Sequence, residues 1–272
     1  MANEHIRVRF PVSDPALQQI LIAELSAAGF EGFEEQEQVL DAFIQAAELD
    51  KGLLEDISSR HAVSFSTEEI VPQNWNALWE ANFPPVIVDD FAAVRASFHE
   101  PVTGVELEIL ITPKMSFGTG HHATTWMMMR RMRSLDLQGK VVTDYGTGTG
   151  VLAILAEKRG SKEVLAIDND DWSIENALEN CERNACRHIQ VHKGDRIPEG
   201  VVADVVLANI NKNVILDQLP VMKRALRPGG ILLLSGLLRE DEGEVREASA
   251  INDLQFLDIQ ERNNWLCIAF QG

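Results

Sequence analysis

Asp144-Tyr145-Gly146-Thr147-Gly148-Thr149-Gly150 has the residue types needed to hold a nucleotide-like ligand. An apolar strand predicted over Val141–Tyr145 breaks into alternating glycines and then enters a helix predicted over Val151–Arg159. Gly146 and Gly148 carry no side chains, so the backbone can turn sharply and a ligand can lie against it. The helix would aim its unpaired N–H groups and positive dipole end at the same spot. The following strand, Glu163–Ile167, delivers Asp168, a carboxylate suited to gripping two ribose hydroxyls.

Two further stretches carry polar groups at predicted strand or helix ends. Asn209 closes the strand Ala203–Ala208 and offers one amide acceptor and two donors, enough to hold an amine. Equally, Asn209 could cap the helix that begins near Lys212. Phe117-Gly118-Thr119-Gly120-His121-His122-Ala123-Thr124-Thr125 precedes a Met-rich helix over Trp126–Arg133. Thr124 and Thr125 can cap that helix or donate to a carboxylate, and Phe117 can cover an adenine or fill core. Read alone, this is a glycine loop before a helix, open to a structural or a binding role.

The glycine pattern separates two cofactor classes. A dinucleotide fingerprint of Gly-x-Gly-x-x-Gly would need a third glycine at position 151, which is Val151. The observed Gly-x-Gly-x-Gly is the form common at the S-adenosylmethionine site of Rossmann-like methyltransferases. A turn of this kind can be purely structural, but Asp168 at the next strand end favours a ribose-bearing cofactor. The adenosyl sulfonium therefore ranks ahead of the nicotinamide, and Gly146, Gly148 and Asp168 are its candidate contacts.

The elements that must position these groups fall into two parts. Residues 1–70 read as a strand (His5–Phe10), a helix capped by Ser13 or Asp14, and two short strands (Phe30–Glu35, Val39–Gln45). A helix over Ala47–Ser59 and a strand over Ala62–Ile70 follow. That β-α-β-β-α-β order is the split βαβ, ferredoxin-like arrangement, and nothing in it has catalytic spacing. Residues 71–100 read as a linker in which Trp75 and Trp79 share a helix face, Pro84-Pro85 stiffens the exit and Phe91–Phe98 is a plausible strand.

Residues 101–272 form the candidate cofactor domain. After Lys140, strands and helices alternate, with a Pro228-Gly229-Gly230 turn before the strand Ile231–Ser235. Two closing strands, Gln255–Gln260 and Trp265–Phe270, are spaced for a hairpin at one edge. This is an α/β pattern: a mostly parallel, seven-stranded, Rossmann-like sheet covered on both faces, beside a small N-terminal α+β domain.

Composition narrows the partners. The 272 residues are 45% hydrophobic and 24% charged, enough for a sizeable core. With 24 basic and 42 acidic residues the formal net charge is −18, a field that repels phosphate backbones and attracts a basic protein. No nucleic-acid partner is expected. Neither a signal peptide nor a membrane-spanning run is legible, and three cysteines without a CxxC pair suit a reducing cytoplasm. The adjacent His121-His122 pair diverges on any regular element, so no metal site is expected.

Together, Phe117–Thr125, Asp144–Gly150 and Leu207-Ala208-Asn209-Ile210 resemble the FGTGxHxTT, D[FY]GCGSG-like and [VL]ANI patterns of the ribosomal protein L11 methyltransferase (PrmA) family. The resemblance runs over essentially the whole chain, with Pro-Gly-Gly and Leu234-Ser235-Gly236 near its end. It departs from the family's common form at Thr147 (usually cysteine), at Ala123 (usually proline) and at Lys114-Met115-Ser116, and the N-terminal module is short.

Carried over by position, the resemblance implies that Thr125, Gly146, Asp168 and Asn209 contact S-adenosylmethionine, with Asn209 near the methyl group and the incoming amine. It implies a class I S-adenosylmethionine-dependent methyltransferase that modifies lysine and N-terminal amino groups of ribosomal protein L11, a basic protein substrate. The N-terminal domain would recognise that substrate, and the chain is expected to be a cytoplasmic monomer. Two rivals stand beside this reading. One is another Rossmann-like N-methyltransferase acting on a different protein, a nucleic acid or a small amine; such enzymes usually carry [DN]-P-P-[YFW], whereas here Ile210-Asn211-Lys212 follows Asn209. The other is a binding protein without catalysis, which the intact glycine loop and Asp168 disfavour.

Overall fold

The computed structural model describes residues 5–70, 84–112 and 122–272. They belong to two units, Met1–Asn82 and Phe83–Gly272. The expected helix face at Trp75 and Trp79, and the stretch from Lys114 to His121, lie outside the described residues.

In the first unit the elements are β1 (His5–Phe10), α1 (Pro15–Ala27), β2 (Gly32–Gln36), β3 (Val39–Gln45), α2 (Lys51–His61) and β4 (Ser66–Ile70). Alternation along β1 turns Val8 and Phe10 inward, where they pack with Leu21 and Leu25 of α1 and Leu54 and Ile57 of α2. The antiparallel sheet order is β2-β3-β1-β4, the ferredoxin-like order that the sequence predicts. Of the two cap candidates Asp14 is used, accepting from the Ala16 N–H at 2.9 Å. The second helix starts later than predicted. Ala46–Glu48 form a single 3-10 turn, and Asp50 caps α2 through the Leu53 N–H at 3.1 Å. The aspartate side chain satisfies a first-turn N–H and so fixes the helix start after Asp50 rather than at Ala47.

The second unit opens with a small sheet of β5 (Val86–Val88), β6 (Ala92–Ala96) and β7 (Leu107–Ile111), in the order β5-β6-β7. The later part of the expected linker, residues 84–100, holds the first two of these strands. Residues 86–96 already belong to this sheet and bury Val88, Phe91 and Val94 in the main core.

The main sheet contains β8 (Val141–Tyr145), β9 (Glu163–Asp168), β10 (Ile189–Lys193), β11 (Ala203–Asn209), β12 (Leu226–Leu238), β13 (Gln255–Arg262) and β14 (Trp265–Gln271). Their order is β10-β9-β8-β11-β12-β14-β13, with β14 antiparallel to both neighbours and the other pairs parallel. Among the described residues, five α-helices connect or flank these strands: α3 (Ala123–Met132), α4 (Val151–Lys158), α5 (Asp171–Arg183), α6 (Lys212–Ala225) and α7 (Glu242–Ile251). Central strands buried on both faces explain unbroken apolar runs such as Ile231–Leu234. One core takes in Met127, Met128, Met129 and Met132 of α3 with Ile154 of α4; the other takes in Ile215, Leu219 and Met222 of α6. Each such side chain contributes roughly 1.5–3 kcal/mol on full burial.

Two irregularities mark the sheet, one at the amino ends of β11 and β12 and one at the carboxyl end of β12. The predicted Pro-Gly-Gly turn is a bulge inside β12: Ala203 faces Leu226 while Val205 faces Ile231, leaving residues 227–230 out of register. The edge hairpin closes through Asn263 and Asn264, both at positive φ (52° and 66°), the geometry of a tight two-residue turn. Strand order reverses between β8 and β11, which makes the crevice above their carboxyl ends the switch point for ligand binding.

Candidate cofactor site

The loop leaving β8 is folded by its own backbone. Gly146 N–H and Thr147 N–H both donate to the Ile167 carbonyl, at 2.8 and 2.9 Å. Gly146 sits at φ +77°, where a side chain is strained, and a Cβ there would run into Cγ2 of Ile210. The Gly148 N–H donates to Asp168 Oδ2 at 2.9 Å, and the Asp170 N–H donates to Asp168 Oδ1 at 3.1 Å. Both carboxylate oxygens are thus fixed by backbone, and each keeps acceptor capacity for a further hydroxyl.

The start of α4 is used differently from the sequence expectation. Asp144, fully buried beneath the loop, accepts from Thr147 Oγ1 at 2.6 Å and meets the Ala153 N–H in the first turn of α4. The helix N-terminus is therefore engaged by a protein carboxyl, and the cleft is lined by Gly146 and Gly148 rather than by residues 150–153. Burial pushes the Asp144 carboxyl up to about 7.

Asn209 ends β11, and its role as a helix cap is excluded because Asn211 fills it, accepting from the Val214 N–H at 3.1 Å. Instead, Asn209 Nδ2 donates to Thr125 Oγ1 at 3.1 Å. Its Oδ1 is buried and has no hydrogen-bond partner among the described residues. Thr125, an expected cofactor contact, does not itself line the cleft. Thr125 is buried behind Asn209, and its neighbour Thr124 lines the cleft. Neither threonine caps α3; His122 does, its Nδ1 accepting from the Thr124 N–H at 3.4 Å.

These groups meet in a cleft of about 710 Å³ that contains Gly146, Gly148, Asp168 and Asn209 in one wall system. Sequence reasoning missed several other walls. Gly194-Asp195-Arg196 follow β10 at the same ligand edge, a position that strand order alone would have marked. Val214, Asp217 and Gln218 share one face of α6 at helical spacing. Tyr145 crosses beneath, its hydroxyl donating to the Asp195 carbonyl at 2.6 Å. His122 and Trp265 form an edge-on pair with ring centroids 4.6 Å apart, and burial holds the imidazole below its usual pKa. Trp265 comes from the far hairpin, and no sequence signal tied it to the glycine loop.

The site fits a ribose-bearing cation. Glycines at 146 and 236 keep the ledge around Ile210 open, since a Cβ at Gly236 would collide with the Ile210 carbonyl. The buried, unpartnered Asn209 Oδ1 calls for an N–H donor. Asp168, Asp195 and Asp217 outnumber Arg196 around the opening, a field that favours positive ligands. Among the described residues no cysteine lines the cleft, and burial pushes Cys181 up to about 12 and Cys186 up to about 11.

The chain is similar to known methyltransferases. The sequence model of the family described as Ribosomal protein L11 methyltransferase (PrmA) matches residues 13–272. A ribosomal protein L11 methyltransferase of Porphyromonas gingivalis is 42% identical over 260 residues, spanning 92% of this chain and 89% of that one. One from Chlorobaculum parvum is 41% identical over 277 residues, spanning 97% and 95%. Among solved structures, a ribosomal protein L11 methylase of Lactobacillus delbrueckii subsp. bulgaricus superposes with a TM-score of 0.64 at 28% identity, covering 68% of this chain and 97% of that one.

Proposed function

Because the chain belongs to the ribosomal protein L11 methyltransferase family, we propose that it transfers methyl groups from S-adenosylmethionine to lysine and N-terminal amino groups of ribosomal protein L11. The observation that carries the reading is the Asn209 amide, anchored at one end by Thr125 and left with a buried acceptor at the other. A neutral amine has an N–H to give that oxygen and a lone pair to turn elsewhere.

S-adenosylmethionine supplies a methyl group already activated by its sulfonium. The chain's own residues have to hold and align. Asp168 would accept from the ribose hydroxyls with the capacity its backbone contacts leave free, and the Gly146–Gly148 backbone would lie against the donor. Asn209 would orient the amine, with Thr125 as a positioning residue behind it. Alignment of nucleophile, methyl and leaving sulfur is the main catalytic demand, because held reactants avoid most of the entropic barrier.

Deprotonation remains. A free lysine has a pKa of roughly 10.4 and an α-amino group roughly 7.7–8.0, so the amine must lose a proton before attack. Partial desolvation in the cleft lowers an ammonium pKa, and the proton can leave to water. Asn209 cannot take it. The carboxylates at the opening attract the ammonium form first, and the −18 net charge attracts a basic protein while disfavouring RNA or DNA.

The ferredoxin-like unit is the substrate-recognition domain in this reading; its sheet has no catalytic constellation. The chain works as a monomer in the cytoplasm. Its exposed large apolar side chains are spread over separate elements (Ile20 on α1, Trp172 on α5, Ile251 on α7), and its three cysteines are free thiols. Among the described residues, no helix is long and apolar enough to cross a membrane.

The test is to incubate the protein with methyl-labelled S-adenosylmethionine and a total ribosomal extract. Label is expected in L11 alone. Label in rRNA, or in other ribosomal proteins without L11, would overturn the assignment.

A further inference from the structure

Asn176 and Asn180 of α5 and its C-cap residue Asn184 lie four residues apart and so share one face. Asparagine is a mediocre helix former, and a buried amide is costly unless bonded, so such a stripe needs a reason. Asn176 and Asn180 are fully buried. The stripe pairs with β7, an edge strand of the small sheet, and takes the place of the next strand.

The three rungs do different work. Asn184 serves β7 and its own helix: its Nδ2 donates to the Leu110 carbonyl at 2.7 Å and to the Asn180 carbonyl at 2.8 Å, and its Oδ1 accepts from the Leu110 N–H at 3.0 Å. Asn176 Nδ2 donates to the Thr112 carbonyl at 3.2 Å. Asn180 goes further. Its Oδ1 accepts from the Thr112 N–H at 2.8 Å, while its Nδ2 donates to Asn176 Oδ1 at 3.1 Å and to the Thr149 carbonyl at 2.8 Å.

Thr149 belongs to the glycine loop, and the loop's last glycine packs on the same helix. A Cβ at Gly150 would lie 3.4 Å from both Cα and Cβ of Ala177. Beyond the bonds of Gly146 and Thr147 to the Ile167 carbonyl and of Thr147 to Asp144, the second half of the loop is held by Asp168 through the Gly148 N–H and by Asn180 through the Thr149 carbonyl.

We infer that Asn180 is a positioning residue for the methyl-donor site: it clamps the Thr149 carbonyl so that the Gly146–Gly150 loop stays in its binding conformation, and it sets donor affinity without entering the chemistry. The inference rests on the reading of that loop as the donor's cradle. A loop that visits other conformations binds in proportion to the fraction still competent, so loss of the clamp weakens donor binding. Saturating donor restores the competent form, so turnover is spared.

Asn184 provides the matched control, because it makes comparable bonds to β7 and none to the loop. Donor affinity is measured by calorimetry with S-adenosylmethionine on the full chain, alongside Tm and steady-state rates with ribosomal protein L11. Asn180→Ala is expected to raise the donor Kd and KM about tenfold, with kcat at saturating donor within about twofold. Asn184→Ala is expected to lower Tm similarly and leave Kd within about twofold.

An Asn180→Ala variant with lowered Tm and wild-type Kd, or an equal Kd rise in both variants, overturns the inference. If Asn180→Ala does not fold, Asn176→Ala decides; it removes a neighbour of the clamp and should raise Kd about threefold, and an unchanged Kd counts against the proposal. Wild-type protein that fails to bind S-adenosylmethionine brings down the reading of the loop, and the inference with it. Wild-type binding matched by Asn180→Ala brings down the inference alone.

Discussion

Asn209 Nδ2 donates to Thr125 Oγ1 at 3.1 Å, joining the end of β11 to the first turn of α3 across 84 residues of sequence. One amide thus has a fixed donor end and a buried acceptor end without a partner among the described residues. Asn209→Ala is expected to lower kcat/KM for L11 by about a hundredfold, the usual scale for removing one preorganised polar group. Thr125→Val keeps the side-chain shape and removes the acceptor behind the amide; kcat should fall about tenfold with donor Kd little changed. Steady-state kinetics with calorimetry distinguishes the two effects.

Asp168 anchors the glycine loop and, in the proposed reading, accepts from the donor's ribose hydroxyls. Charge-assisted hydrogen bonds are the strong ones, and Asp168→Ala would lose those to the ribose as well as the anchor for the Gly148 N–H. Its donor Kd is expected to rise about a hundredfold. Asp168→Asn retains an acceptor without the charge and should rise about tenfold. Calorimetry reads both, and an unchanged Kd in the alanine variant contradicts the assigned role.

Gly146 and Gly236 both abut Ile210, but on different atoms. A Cβ at Gly146 meets the Ile210 side chain, whereas one at Gly236 meets the Ile210 carbonyl. Gly146→Ala and Gly236→Ala should each impair donor binding, since both sit at positive φ (77° and 86°). Adding Ile210→Ala should recover part of the loss at Gly146, and none at Gly236, because trimming a side chain does not move a backbone carbonyl. A double-mutant cycle on donor Kd reads that difference.

The Asp144 carboxyl gives stability a pH dependence opposite in sign to that of a salt-bridged aspartate. Its folded pKa is raised to about 7 from the ordinary 3.8, so between those values the folded chain holds a proton that the unfolded chain has released. Its contribution therefore falls as pH rises through that window and levels off above it. Asp144→Asn removes the titration while keeping the shape. The Tm difference between variant and wild type should open from near zero around pH 4 to about 5 °C or more at pH 8, in favour of the variant. Groups shared by both proteins cancel in this difference, and a difference independent of pH would contradict the buried, titrating carboxyl.

Local signals carried much of the architecture. Strand β8 and the Gly146–Gly150 turn could be placed because glycine pattern and apolar run are read within a dozen residues. Asp14 and Asp50 illustrate how caps fix helix starts: the Asp50 cap places the start of α2 at Lys51 rather than at the expected Ala47. The Pro228-Gly229-Gly230 stretch read as a turn because its chemistry is that of a turn, and only pairing with β11 makes it a bulge.

The site was less legible for the same reason. Asp168 and Asn209 end strands at the ligand edge, so their position follows from topology. Thr125 sits behind Asn209 rather than in the cleft, which no spacing rule could reveal. Trp265, Asp217 and the α5 asparagines reach their partners through tertiary packing alone.

Methyl transfer to L11 is tested most directly by the intact mass of purified ribosomal protein L11 after incubation with the protein and S-adenosylmethionine. The account predicts mass gains in whole methyl increments, located by fragmentation on lysine or N-terminal amino groups, and little or no gain with Asn209→Ala. L11 that keeps its mass beside active wild-type protein, or that gains methyl groups equally with Asn209→Ala, would contradict it.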